Sequence, residues 1–433
     1  MNALAMNAPT LPRVAACRRT SIHPGVLERA FAVVVLFLST GGLLPLLRLE
    51  GGIAVDELEG DPVMQIIWLA VYGVTLLLLA TRAKETLQLL GRERWLLLLC
   101  GLAAVSVIWS VAPGVTFRRT VALFGTTAFG VYLASRFTVH ELLRLLHWVL
   151  SAAVVLSATF VVIAPTYGIG DDGAWRGIFV HKNILGRTVA LAVLALLFRL
   201  REHGVVRRLA TIAIFTLSCA MLLGSRSVTG LLTAAAVGIS MPLWVIFRVR
   251  SALAIAFALF GLVTITGAAT WVASTPDLPE LAVAALGRDV TLTGRTGLWP
   301  LAVDAIAERW WFGHGYGAFW LGWDGESASI WRGLSWRPAH AHNGILDLGL
   351  ELGVAGIGLF AVGLAVSAWR AAAVIRRTAT AYGLWPIAYL MFTVTLNLAE
   401  TTIIARNSLF WVLYVATCMW LIRPRIAERT VKL

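Results

Sequence analysis

The sequence predicts an all-α polytopic membrane protein of about twelve transmembrane helices, with one long outer loop containing short helices. Three observations carry that expectation. Hydrophobic residues make up 59% of the 433 and charged residues only 14%, where a soluble domain is nearer half apolar and a quarter charged. Apolar runs of membrane-spanning length recur along the whole chain, each bounded by charge or by Pro and Gly. Basic residues fall in every second connection between those runs, which is a topology signal rather than a nucleic-acid footprint despite the net charge of +13.

The elements follow in order. Residues 1–28 carry Arg13, Arg18 and Arg19. The first apolar run starts near Ala30 and is long enough to span, so this region reads as a cytoplasmic tail rather than a cleavable leader. Residues 29–273 hold nine expected spans: 30–47, 63–80, 95–112, 119–134, 142–164, 184–199, 207–223, 228–246 and 251–273. Residues 274–342 form the long loop. Residues 343–422 hold three more spans, 343–368, 382–399 and 407–422, and 423–433 is a cytoplasmic tail. With the N-terminus inside, the cytoplasmic connections hold Arg82, Lys84, Arg92 and Arg94, and later Arg376 and Arg377. The first outer connection holds Glu50, Asp56, Glu57, Glu59 and Asp61 against Arg48 alone. This is the positive-inside asymmetry. The four cysteines are isolated and mark neither a disulfide framework nor a zinc site.

Positive charge on the outer side needs a partner. Arg118, Arg119, Arg176, Lys182, Arg187, Arg226, Arg288, Arg295, Arg332, Arg337 and Arg406 all fall there, with His181, His314, His340 and His342. Headgroup phosphates, the acidic first loop or an anionic ligand are the candidate partners.

The long loop is far longer than an ordinary connection, which predicts a functional, locally folded segment. Leu298, Trp299, Ala302, Val303 and Ile306 recur at helical spacing and predict an amphipathic helix before Trp310. Seven of the 18 tryptophans lie in this loop, either anchoring it in the interfacial belt or stacking on sugar rings. Trp299 and Trp320 are the candidates for sugar contact. The loop ends in Arg337-Pro-Ala-His340-Ala-His342-Asn343. Asn343, Asp347 and Glu351 then share one helical face at the mouth of the tenth span.

Arginines bind phosphate oxygens bidentately and suit a diphosphate. Apolar helices suit a lipid tail, and tryptophans a glycan. A histidine suits proton removal from an attacking hydroxyl at neutral pH. Together they describe glycosyl transfer from a lipid diphosphate to a sugar hydroxyl. No Asp-x-Asp metal motif occurs in the chain. No metal or other cofactor is expected, and arginines are expected to neutralise the leaving group.

Four stretches resemble the O-antigen ligase and Wzy-type polymerase superfamily, in its exopolysaccharide polymerase branch. They are Trp-Arg-Gly-Ile-Phe-Val-His-Lys-Asn-Ile-Leu-Gly (175–186), Leu-Gly-Ser-Arg-Ser (223–227), Thr-Gly-Arg-Thr-Gly-Leu-Trp (293–299) with Trp-Phe-Gly-His-Gly-Tyr-Gly-Ala-Phe-Trp (311–320), and His-Ala-His-Asn-Gly-Ile-Leu-Asp-Leu-Gly-Leu-Glu-Leu-Gly (340–353). A weaker fifth is Arg-Asn-Ser-Leu-Phe-Trp at 406–411. The resemblance implies the periplasmic face of a bacterial inner membrane, which agrees with the cytoplasmic termini expected from the charge pattern. It implies undecaprenyl-diphosphate-linked oligosaccharides as donor and acceptor, and metal-independent transfer with inversion. A flippase and chain-length or export proteins are the implied protein partners, and no nucleic acid is. Carried over by position, His342 is the candidate base, with His340 its competitor. Arg226 and Arg295 are the candidate diphosphate ligands. Arg187, His181, Lys182 and Asn183 line the donor side, and Asn343 and Arg337 flank the histidines.

Within that resemblance, a polymerase moves a growing chain onto an incoming repeat, whereas a ligase moves a finished glycan to a different acceptor. The His-Lys-Asn and His-Ala-His-Asn stretches favour the polymerase. A lipid-linked oligosaccharide transporter fits twelve spans too, but no internal repeat is visible.

Overall fold

The computed structural model describes residues 24–42, 62–200, 204–246, 295–378 and 381–423. Its principal helices are α1 (Val26–Leu38), α2 (Pro62–Ala80), α3 (Ala83–Leu90), α4 (Arg94–Val105), α5 (Pro113–Arg136), α6 (Val139–Ile163), α7 (Lys182–Arg199), α8 (Val205–Gly224), α9 (Val228–Ile246), α10 (Arg295–Glu308), α11 (Ser327–Arg332), α12 (Gly344–Arg377), α13 (Trp385–Asn397) and α14 (Leu409–Ile422). Among the described residues there is no strand, only an isolated bridge between Ile169 and Trp175.

Four of these, α2, α6, α8 and α12, are long and apolar enough to cross a membrane. Shorter apolar helices cover Arg94–Ile108, Val228–Met241 and Leu409–Ile422. The chain is a helical membrane protein. A count of about twelve crossings goes beyond what these helices establish. The expected span at 251–273 lies outside the described residues, as do the loop's first residues, 274–294.

Helix α2 shows how the pattern works. Val71, Tyr72, Thr75 and Leu79 are buried on one face, while Ile66, Leu69, Leu76 and Leu77 are exposed. A helix apolar on both faces, with one face unpacked, suits hydrocarbon on its open side. At the start of α6, Thr138 and Glu141 form a capping box that satisfies two otherwise unpaired amides. Helix α14 packs along α5, α7 lies against α6, α8 and α9, and α12 runs beside α4. The α5–α14 seam includes a hydrogen bond of 3.0 Å from the Trp411 indole N–H to the Thr127 hydroxyl. The α7–α9 seam depends on small residues: a Cβ at Gly230 would lie 2.8 Å from the Gly186 carbonyl oxygen.

Two expectations about span boundaries change. The fourth span is longer than 119–134, because α5 begins at Pro113 and takes Arg118 and Arg119 into the helix. The tenth is not one helix over 343–368. It runs to Arg377 and is broken at Gly353, whose φ is 62°. A left-handed residue interrupts the helical hydrogen-bond ladder. The loop after α10 supplies the missing partners. Val354 N–H donates to the Trp310 carbonyl (2.9 Å) and Ala355 N–H to that of Trp311 (3.1 Å). In return the Leu350 carbonyl accepts from His314 N–H (2.9 Å) and the Glu351 carbonyl from Gly315 N–H (3.0 Å). Irregular backbone beside apolar helices persists only where protein satisfies it in this way.

A Cβ at Gly353 would lie 2.5 Å from the Trp311 carbonyl and the Phe312 nitrogen. Gly353→Ala is therefore expected to destabilise the protein by about 1–3 kcal/mol through backbone strain alone, and by more where the loop is pushed off. Thermal unfolding in detergent checks this; an unchanged midpoint would show that the break is not held by Gly353.

Candidate functional site

The half-helix Gly344–Leu352 before the break positions the loop that carries the histidines. Asn343 is its N-cap, accepting from the amides of Ile345 (3.0 Å) and Leu346 (3.2 Å). Its amide also donates to the Leu398 carbonyl at 3.4 Å. One turn on, Asp347 is buried. Its carboxylate accepts from the Ala341 amide (2.9 Å), the Trp320 indole (2.7 Å) and the Thr401 hydroxyl. The Ala341 carbonyl accepts from the Trp299 indole at 3.0 Å. Ala341 is thus held at both backbone groups, and the histidines on either side of it inherit that placement.

His342 adopts a left-handed backbone, φ 50°, a strained conformation for a residue with a Cβ. Its ring lies 4.0 Å from that of His340 and 5.8 Å from that of Trp336. The His342 amide donates to Nδ1 of His340 (3.1 Å). Nη2 of Arg295 lies 3.4 Å from Nδ1 of His342. A guanidinium and an amide N–H only donate, so both Nδ1 atoms accept, and each neutral ring carries its proton on Nε2. Burial, then the charges of Arg187 and Arg295, push His340 down to about 3. Burial, followed by His340 and Arg295, holds His342 well below the usual histidine range. Both rings are neutral at pH 7.

Glu400 stands at the centre of the charge. It is buried, with Oε1 3.5 Å from Nη2 of Arg295 and Oε2 3.5 Å from Nη1 of Arg187. The Asn183 side chain, one turn before Arg187 on α7, also bonds it. Burial pushes the Glu400 carboxyl up from its ordinary value, and the two guanidiniums oppose that shift. Two cations on one carboxylate leave a net positive charge in a low-dielectric setting, which suits an anion. Unsatisfied atoms gather here too: Nε of Arg187, Nε of Arg295, Oε1 of Glu400 and the Trp336 indole N–H are buried without hydrogen-bond partners. Such orphans are few in a folded protein and call for an explanation.

His340, His342 and Glu400 each offer one donor atom, all within 4.8 Å of one another. They are the group among the described residues that could hold a metal ion. Nη2 of Arg295 already lies within 3.5 Å of atoms of two of them, so a divalent cation there would have to displace a guanidinium.

The structure brings together His340, His342, Asn343, Arg187, Asn183, Arg295 and Trp299 of the residues singled out by sequence. His181 caps α7, accepting from the Asn183 amide (3.2 Å), and lies near enough for its charge to bear on both histidines. Arg226 is exposed and outside this cluster. It has φ 49° and donates to the Asp172 carbonyl at 3.1 Å, while Lys182 pairs with the Asp172 carboxylate. Arg337 is exposed, with its guanidinium 5.5 Å from the Trp323 ring centroid. Trp320 is buried and its N–H is taken by Asp347, so it fixes the loop rather than facing a glycan. His314 is likewise a brace: Nδ1 donates to the Leu350 carbonyl at 3.0 Å.

Glu400 and Trp336 were not singled out as site residues by sequence. The signal for Glu400 was available: it is the only acidic residue between Ala381 and Arg423, at the edge of an apolar span. Trp336 was one tryptophan among seven, and only the fold sets its ring against His342.

Replacing Asp347 with Asn keeps one acceptor oxygen and sets an NH2 against the Ala341 amide together with either the Trp320 indole or the Thr401 hydroxyl. A loss of roughly 1–3 kcal/mol for each buried donor left unpaired is expected, with activity lost as the histidine loop drifts. Thermal unfolding together with an activity assay checks this; wild-type values of both would show that the carboxylate does not position the loop.

Residues 211–361 match the family model described as O-antigen ligase. That segment includes Arg226, Arg295, both loop histidines and Asp347, while Arg187 and Glu400 lie outside it. The chain is also 29% identical over 307 residues to the exopolysaccharide production protein ExoQ of Rhizobium meliloti strain 1021, covering 68% of each chain. Both matches support the resemblance carried by the motifs, to the O-antigen ligase family in its exopolysaccharide branch.

Proposed function

We propose that this protein is a polysaccharide polymerase that transfers a growing glycan from undecaprenyl diphosphate to a sugar hydroxyl of an incoming lipid-linked repeat. The observation that carries the reading is a pair of guanidiniums, buried Arg295 and partly buried Arg187, gathered beside a neutral histidine. A diphosphate offers oxygens to the two guanidiniums, and a sugar hydroxyl offers an acceptor to the orphaned Trp336 N–H. The relative's name, exopolysaccharide production protein, favours the polymerase over a ligase.

In the reaction, Nδ1 of His342 takes the proton of the acceptor hydroxyl. The oxygen attacks the anomeric carbon from the face opposite the diphosphate, the bond to the diphosphate breaks, and its electron pair leaves on the phosphate oxygen. Attack from the opposite face inverts the configuration. Arg187 and Arg295 neutralise the leaving charge in place of a metal. His342 is favoured over His340 as the base. Nδ1 of His340 is tied to a backbone amide fixed by the turn, whereas Nδ1 of His342 faces a side chain that can swing onto the donor. In this reading Arg226 and Lys182, both held by Asp172, meet the glycan or the outer phosphate. The chain crosses the inner membrane about twelve times in this reading, with cytoplasmic termini and the histidine loop on the periplasmic side. Arg376 and Arg377, at the far end of α12 from His342, fit the cytoplasmic side.

Purified protein given a single lipid-linked repeat in EDTA-containing buffer is expected to yield a ladder of lengths, and His342→Ala to yield none. A single product that requires a different acceptor would replace the polymerase with a ligase. Loss of wild-type product in EDTA would overturn the metal-free mechanism, and an active alanine variant would remove His342 as base.

The base works only above its own pKa. Arg295 lowers that pKa by charge and by donating to Nδ1 of the neutral ring. Removing Arg295 raises the pKa, so the acid limb of kcat/KM for the residual activity of Arg295→Gln is expected to move to higher pH. If no acid limb enters the window pH 4–8 (about the histidine range) in Arg295→Gln, the base is assigned elsewhere.

A further inference from the structure

Two arginines bound for a diphosphate are already holding an anion of the protein's own. We propose that Glu400 is a positioning residue that acts as a resident counter-anion. It holds Arg187 and Arg295 while the seat is empty, yields Arg295 to the donor diphosphate, and by its charge helps expel the diphosphate product. This rests on the reading of the site as a diphosphate seat.

The grip of Glu400 is loose. Both N···O distances are 3.5 Å, against about 2.7–2.9 Å for a charge-assisted hydrogen bond. Oε1 has no hydrogen-bond partner although it is buried, and neither does Nε of either guanidinium. A carboxylate that served only to tie its turn to two helices would be expected to close these contacts. Two other partly buried pairs among the described residues do: Arg370 with Glu93 and Arg136 with Glu28 are both in direct hydrogen-bond contact. Glu400 instead leaves donor capacity unspent on both arginines.

Removing this carboxylate altogether would leave one buried and one partly buried guanidinium without a counter-ion, which is costly. Keeping it beside a bound diphosphate sets like charges near each other. The same group therefore stabilises the empty seat and weakens the filled one. Nη2 of Arg295 is the shared atom: it lies 3.5 Å from Glu400 and 3.4 Å from Nδ1 of His342. A diphosphate that draws Arg295 away from Glu400 also draws it off the lone pair that the base needs. Base exposure is thereby coupled to donor arrival, and its covering to product release.

The test compares wild type, Glu400→Gln and Glu400→Asp as full-length protein in nanodiscs, with undecaprenyl diphosphate as the binding probe and inorganic pyrophosphate as a headgroup-only probe. Glutamine keeps the shape and removes the charge. It is expected to bind undecaprenyl diphosphate about tenfold tighter, as removal of a like charge at close range predicts, with a lower KM for donor and a lower kcat as product leaves slowly. Aspartate withdraws the charge by one methylene and is expected to fall between, which keeps the test alive if the glutamine variant does not fold. Pyrophosphate is expected to follow the same order, more weakly. A role in structure alone predicts weaker or unchanged binding with kcat and KM worsening together, and that result from either folded variant overturns the proposal. Absence of undecaprenyl diphosphate binding to the wild type would overturn the diphosphate seat itself. Wild-type binding with no gain in the variants overturns the role of Glu400 alone.

Discussion

The carboxylate of Asp347 accepts from the Ala341 amide, the Trp320 indole and the Thr401 hydroxyl, and these donors come from three separate stretches of chain. Everything that faces the candidate site hangs from that convergence. Ala341 fixes the two histidines, Trp320 fixes the interior of the long loop, and Thr401 fixes the turn that presents Glu400. An acceptor-only group buried among donors is a directional constraint: the segments hold together only with their polar edges turned inward. The apolar packing of Leu298, Ala302, Phe319 and Ile330 around it supplies cohesion without direction.

The helical membrane class was legible because hydrocarbon solvent imposes a coarse and repetitive composition, visible in any twenty-residue window. The helix at Arg295–Glu308 was legible for the same reason at smaller scale, since Leu298, Ala302 and Ile306 return at helical spacing. The break at Gly353 was not. Its cause lies in hydrogen bonds to Trp310 and Trp311, some forty residues away, and a glycine within an apolar helix is otherwise unremarkable in sequence. Arg187 and Arg295 were legible as charges in the wrong place for their frame. Their shared partner Glu400 breaks the same rule, as a lone carboxylate at a membrane edge, but only the fold brings it between the two arginines. Trp320 shows the converse. Its chemistry suits a sugar, and its environment spends that chemistry on Asp347.

Electrostatically the site resembles a metal centre with the ion replaced by protein. His340, His342 and Glu400 converge as ligands would, and the position that a cation would take is pressed by the Arg295 guanidinium. A guanidinium differs from a metal ion in two ways. It brings direction, because its protons point along fixed lines, and it is tethered, so it can swing between partners without leaving. The low proton affinity of both histidines follows from burial first, and then from neighbouring charges that include Arg295.

The interruption of α12 divides the helix into a nine-residue piece that carries Asp347 and a longer piece, Val354–Arg377, that reaches the opposite end of the bundle. Each residue of helix adds about 1.5 Å of length and a turn of about 100°. In an unbroken helix, any change of span length would also rotate one end against the other. Here the piece bearing Asp347 takes its orientation from the loop that docks at the break, not from the shaft below it. The shaft can therefore be matched to the thickness of its host bilayer while the reacting groups keep their register.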